Sequence, residues 1–141
     1  MDIHQLMQVY LSGEETYESG EIIIEEGSTG NWVYVVLEGQ VKVNKRTEVG
    51  TVTIDTLKKG AVFGEMALLG KLQNGRSASV IAADGPVKLG VLDFHLLLKD
   101  YESLSPRLKL LIDTLVMRLK ESNERIAAFV VAANLKNRGA G

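Results

Sequence analysis

Cysteine is absent from the chain. That absence excludes disulfide scaffolds, thiolate zinc sites, iron–sulfur clusters and cysteine nucleophiles. Histidine is nearly absent: His4 and His95 are the only two, which excludes a histidine-rich metal site, and no metal ligand is expected. A basic surplus is missing as well. Sixteen Lys and Arg against eighteen Asp and Glu leave a net charge of −2, whereas sequence-independent nucleic-acid binding runs on excess positive charge. No nucleic-acid partner is expected, and any bound anion must be caught by local geometry. The N-terminal MDIHQLMQVYLSGEE has neither a basic n-region nor a long apolar core, and no apolar run elsewhere approaches a membrane-crossing length. The expectation is a soluble, cytoplasmic protein without a membrane contact.

What is present points to one domain over residues 1–141, long enough to bury a core without metal or disulfide staples. From about residue 16 to 92, short β-rich runs alternate with glycine-bearing turns: GEIIIEEGSTG, NWVYVVLEGQVKVNK, GTVTIDTLKKG and SASVIAADGPVKLGVLD. Val33, Val35 and Leu37 alternate with Tyr34, Val36 and Glu38, and Asp84-Gly85-Pro86 reads as a turn. Period-two runs at short spacing predict an antiparallel jelly-roll barrel, since no long helix lies between them to support a parallel sheet. The fold class is therefore mainly β with flanking helices.

From about 93 to 138 the signal is helical. DFHLLLKDY predicts a short helix capped by Asp93, and Ser105-Pro106 offers an N-cap followed by proline at the first helical position. A long amphipathic helix follows, reaching nearly to Gly139. Its apolar face reads Leu108, Leu111, Leu115, Leu119, Ile126, Val130 and Ala133, interrupted by Ser122 at the right spacing. Ile112, Val116 and Phe129 make a second apolar side. Either one side covers the barrel while the other meets a second copy, giving a homodimer through the C-terminal helix, or both are buried within one chain.

The stretch GAVFGEMALLGKLQNGRSASV, residues 60–80, holds one acid, Glu65, and one guanidinium, Arg76. The turn at Gly64 leads into a short helix-forming run, and a helix N-terminus offers unpaired amides that favour an anion. Glu65 would be stabilised in such a first turn in any case. An ionised carboxylate only accepts hydrogen bonds and suits a sugar hydroxyl, whereas Arg76 is a fork of donors suited to phosphate oxygens. A ligand carrying ribose hydroxyl and phosphate side by side satisfies both.

Phe63-Gly64-Glu65-Met66-Ala67-Leu68, followed by Arg76-Ser77-Ala78-Ser79-Val80, resembles the phosphate-binding cassette of the cyclic nucleotide-binding domain family. That family includes the bacterial catabolite activator protein and the regulatory subunits of cyclic-AMP-dependent kinase. The resemblance extends over residues from about 20 to 130. It implies that Glu65 accepts from the ribose 2′-hydroxyl and that Arg76 pairs with the exocyclic phosphate oxygens. The backbone of Gly64, Glu65, Met66 and Ala67, with Ser77 and the amide of Ala78, would complete the cradle. Gly75 departs from the family, where many members have proline.

Arg118 to Ile126 is similar to the family's long-helix segment that contacts adenine: Ser122 and Asn123 fall on the contacting pair, and Arg118 on a basic residue near the ribose-phosphate. The implied function is a cyclic nucleotide sensor, with cyclic AMP favoured because hydroxyl and amide each donate and accept. Cyclic GMP is the alternative ligand, since Ser77 does not decide between the two. A degenerate domain that only dimerises is a further alternative, against which both Glu65 and Arg76 stand. No cofactor is implied. No catalytic residue is expected, because nothing pairs a nucleophile with a base. The chain ends in NLKNRGAG, with no helix-turn-helix after the long helix.

Overall fold

The computed structural model describes residues 3–65 and 78–139. The elements in order are α1 (Ile3–Gln8), β1 (Leu11–Tyr17), β2 (Ile22–Ile24), β3 (Val33–Thr47), β4 (Gly50–Lys58), β5 (Val62–Phe63), β6 (Ser79–Leu92), α2 (Phe94–Glu102) and α3 (Pro106–Gly139). The strand path is β1-β6-β3-β4, with β2 on β6 and β5 on β3, and these pairings are all antiparallel. This is the expected jelly-roll barrel with a short and a long C-terminal helix.

Two long strands organise the barrel. β3 pairs with β6 from Val33–Leu92 to Asn44–Ser79, and β3 turns directly into β4 with Thr47 opposite Gly50. The hairpin is closed by the Thr47 hydroxyl donating to the Gly50 carbonyl at 2.6 Å. The run Val33 to Val36 departs from simple alternation because every residue in it is buried. Tyr34 and Val36 enter the main core with Val41, Phe63, Val87 and Leu89. Val33 and Val35 join Leu92 in a second cluster, covered by Met7 and Tyr10 on one side and Phe94 and Leu97 on the other. The outer face of β3 is thus roofed by α1 and α2, and a strand covered on both faces has no polar side.

Two features differ from the sequence expectation. β1 lies mostly before residue 16, where the period-two pattern begins. LSGEETY is an edge strand exposed along nearly all its length, so it carries no alternation to detect; backbone pairing to β6 holds it. Asp84-Gly85-Pro86 is not a turn between two strands but a kink inside the single strand β6. Asp84 and Gly85 both have positive φ, 57° and 121°. Opposite the kink, Gly39 of β3 has φ 82°, and the register shifts between Glu38 and Gln40. A Cβ on Gly39 would stand 2.7 Å from the Pro86 carbonyl oxygen, so both strands bend together where only glycine fits.

The helices begin as their capping residues dictate. The Asp93 carboxylate accepts from the Leu96 amide at 3.0 Å, and the Ser105 hydroxyl accepts from the Leu108 amide at 3.3 Å. α3 then runs as one helix of 34 residues. It meets the barrel through Ala127, which is 5% exposed and packs with Val52 and Ile54 of β4, flanked by Val130 and Ala78.

Candidate functional site

Between the sheet and α3 lies a cavity of about 170 Å³. Its walls are built in three steps. β5 adds to β3 with Phe63 opposite Tyr34, and the two rings pack with centroids 5.2 Å apart. Phe63 therefore fixes where the strand ends. Gly64 follows at once with φ 84°, a left-handed turn that a residue with a Cβ avoids. The turn delivers Gly64 and half-buried Glu65 to the cavity wall.

The second wall comes from the barrel. Ile24, Val43, Ile54, Leu57, Val62 and Val80 supply apolar surface, and Ala78 stands at the start of β6. The beginning of that strand is tied down by the Ser79 hydroxyl, which accepts from the Glu26 amide at 2.8 Å. Ala78 has the smallest side chain in this wall and also touches the cluster that seats α3. The third wall is α3 itself, through Leu119, Lys120, Asn123 and Glu124. Asn123 sits four residues before the Ala127 anchor, so the helical repeat turns it to the same side.

Apolar walls with a few polar groups at defined points are the usual make-up of a small-molecule site. Among the described lining residues, Asp55, Glu65 and Glu124 carry carboxylates and Lys45 and Lys120 carry ammonium groups. The cavity therefore presents donors and acceptors at separate points of its rim. No group of three or more His, Asp or Glu able to hold a metal exists among the described residues.

The residues singled out from sequence fall into three groups. Gly64, Glu65, Ala78 and Asn123 line the cavity together, although nearly sixty residues separate the first from the last. Arg118 and Ser122 do not line it; both are exposed. Met66, Ala67, Arg76 and Ser77 lie outside the described residues. The position of Ser122 follows from the helix faces. Leu108, Leu111, Leu115, Leu119 and Ile126, on the main apolar stripe, are all exposed and Ser122 lies among them, although Leu119 also reaches the cavity and Val130, further along the same stripe, packs half-buried in the cluster that seats α3. The barrel side instead carries half-buried Ile112, Val116, Lys120 and Asn123, then buried Ala127. Phe129, grouped with Ile112 and Val116 from sequence, is 76% exposed.

Lys45, Asp55, Lys120 and Glu124 went unnoticed in the sequence. For the α3 pair the signal is partial: a small residue marks where helix and strand approach closely, but Ala127, Ala128, Ala132 and Ala133 all qualify by sequence, and only from Ala127 do steps of three, four and seven back give Glu124, Asn123 and Lys120. Lys45 and Asp55 carried no such signal. They sit on paired strands near a register shift between Val43 and Asn44, which breaks the inside-outside alternation used to sort faces.

A jelly-roll barrel with a polar-rimmed cavity closed by a C-terminal helix defines a small-molecule-binding domain. The comparison with family models makes the class specific: the model of the cyclic nucleotide-binding domain matches residues 14–99. The chain belongs to that family. Among curated proteins it is 40% identical over 79 residues to the cAMP-dependent protein kinase type II regulatory subunit of Drosophila melanogaster, a match over 56% of this chain and 20% of that protein. It is also 40% identical over 81 residues to cGMP-dependent protein kinase 2 of Homo sapiens, over 56% of this chain and 10% of the kinase. Among solved structures, the cAMP-bound form of the EAL enzyme Bd1971 superposes with a TM-score of 0.71 at 27% identity, covering 89% of this chain and 32% of that one. The cGMP-bound form of the same enzyme gives 0.69 at 26% identity, covering 89% and 33%. The chain thus spans a fifth or less of these curated relatives and about a third of these solved chains.

Proposed function

We propose that this chain, acting as one domain, binds a cyclic purine nucleotide and passes the binding event on through α3. Glu65 accepts from the ribose 2′-hydroxyl, Arg76 pairs with the phosphate, and the Gly64 to Ala67 backbone with Ser77 and Ala78 completes the cradle. The observation that carries the reading is the single cavity shared by Gly64 and Glu65 of the FGEMAL motif, Ala78 of the RSASV motif and Asn123 of the long helix. Of the two residues that favoured cyclic AMP, Asn123 remains at the cavity and Ser122 does not. Cyclic AMP therefore stays a ligand of this reading on Asn123 alone, with cyclic GMP beside it; the names of the relatives and solved structures above include both nucleotides. Calorimetric titration of the chain with each nucleotide tests the reading. Saturable heat with either supports it, and silence with both favours the non-binding alternative.

The partner of α3 in this reading is a second copy of the chain. Supporting this is the exposed face running from Leu108 through Leu111 and Leu115 to Leu119 and Ile126, a stripe that an identical helix would cover. Sedimentation equilibrium is expected to find a dimer, and Leu111→Glu with Leu115→Glu a monomer. A monomeric parent overturns this part of the reading and leaves the ligand untouched.

A further inference from the structure

Ala127 is the contact that sets which side of α3 looks at the barrel. Four and seven residues earlier on the same side stand Asn123 and Lys120, both half-buried and both lining the cavity, while Glu121 and Ser122 between them are exposed. Among the described residues, no hydrogen bond or ion pair engages the Lys120 or Asn123 side chain. Asp55 and Glu124 line the same cavity, yet neither lies within 4.0 Å of the ammonium. An ammonium only donates. Held at the rim of a cavity whose carboxylates on Asp55 and Glu124 lie beyond pairing distance, it meets no acceptor among the described residues and is matched to acceptor atoms that a ligand brings.

We infer that Lys120 reads the base of the bound nucleotide and biases the site toward guanine over adenine. The inference rests on the cyclic nucleotide reading above. On its Hoogsteen edge guanine shows two adjacent acceptors, O6 and N7; adenine shows N7 beside its N6 amino donor. The Lys120 ammonium satisfies both guanine atoms, whereas with adenine it meets one acceptor and faces a donor. Asn123 both donates and accepts, so it fits either base. Lys120 is then the member of the pair that discriminates, and Ser122, on the outer leucine face, takes no part. Two other roles for the cation make a different pattern. A contact to the phosphate, or an ion pair formed to Glu124 or Asp55 as α3 closes, acts on every cyclic nucleotide alike.

The test is calorimetric titration of the parent and Lys120→Met with cyclic AMP, cyclic GMP and cyclic IMP. The last keeps O6 and N7 but lacks the 2-amino group of guanine. Methionine has nearly the helix propensity of lysine, and thermal melting checks that the variant folds. Lys120→Met is expected to lose about tenfold in affinity for cyclic GMP and cyclic IMP and little for cyclic AMP, the scale of one specific base-edge contact. Lys120→Arg is expected to keep the parent order. Equal losses for all three overturn the inference, because the cation then serves the phosphate or a latch. A loss for cyclic GMP without one for cyclic IMP overturns it as well, assigning the readout to the 2-amino group. A parent that binds none of the three removes the cyclic nucleotide reading itself and the base readout with it, a result distinct from binding that is indifferent to Lys120.

Discussion

Ala127→Glu is expected to release α3 while leaving the barrel folded. Ala127 is 5% exposed, against Val52 at 7% and Ile54 at 8%. The attachment it anchors is small. Complete burial of a valine-sized side chain is worth roughly 1.5–3 kcal/mol. One alanine, a half-buried Val130 and the strand surface they cover then amount to about 2–4 kcal/mol. An unpaired carboxylate forced into that contact costs several kcal/mol. Release is therefore the cheaper response. It stops at the helix, because the two other clusters, around Val36 and Leu89 and around Val33 and Leu92, contain no α3 residue. Hydrogen exchange read by mass spectrometry distinguishes the outcomes: amides over residues 119–134 exchange faster in the variant, while 33–43 and 80–92 keep their protection. Cyclic nucleotide affinity falls with the loss of the Asn123 wall. Loss of protection in the barrel strands in step with α3 refutes the reasoning, since the helix is then part of the cooperative core.

If Arg76 pairs with the phosphate away from water as proposed, Arg76→Ala is expected to cost about 2–5 kcal/mol in nucleotide affinity, with Arg76→Lys restoring part of it; parental affinity in the alanine variant removes this loop from the site. Glu65→Gln is expected to weaken binding less than Arg76→Ala and to narrow the preference for ribose over 2′-deoxyribose, because an amide oxygen still accepts but without charge; an unchanged affinity ratio for the two sugars removes Glu65 from the site. Saturating nucleotide is expected to slow exchange across residues 94–130, since a ligand favours the closed helix only through its differential affinity for that state; protection confined to the barrel would mean binding without relay. Gly39→Ala is expected to cost about 2 kcal/mol or more in denaturant unfolding, combining the positive φ penalty with a methyl driven against the Pro86 carbonyl; an unchanged midpoint would mean that the strand crossing relaxes freely.

The sequence by itself determined the element types through the barrel core and the tail. Period two and glycine punctuation are local consequences of half-buried strands, and Asp93, Ser105 and Pro106 start their helices by contacts made within a turn. It also marked the glycine of the FGEMAL segment, because a positive-φ turn after a strand is a local requirement as well, and Gly64 has φ 84°. Tertiary structure decided what depends on distant neighbours. β1 exists through its pairing with β6, some seventy residues away. Asp84 to Pro86 became a kink rather than a turn because Gly39 of another strand bends with it. The pattern gives α3 a longer apolar stripe from Leu108 to Ala133 and a shorter second side of Ile112, Val116 and Phe129, and leaves open which one faces the barrel. Val52 and Ile54 seat the side that carries Ala127, with Val130 of the longer stripe beside it. That choice turned Asn123 and Lys120 inward and Ser122 outward, since neighbouring residues on a helix point about 100° apart.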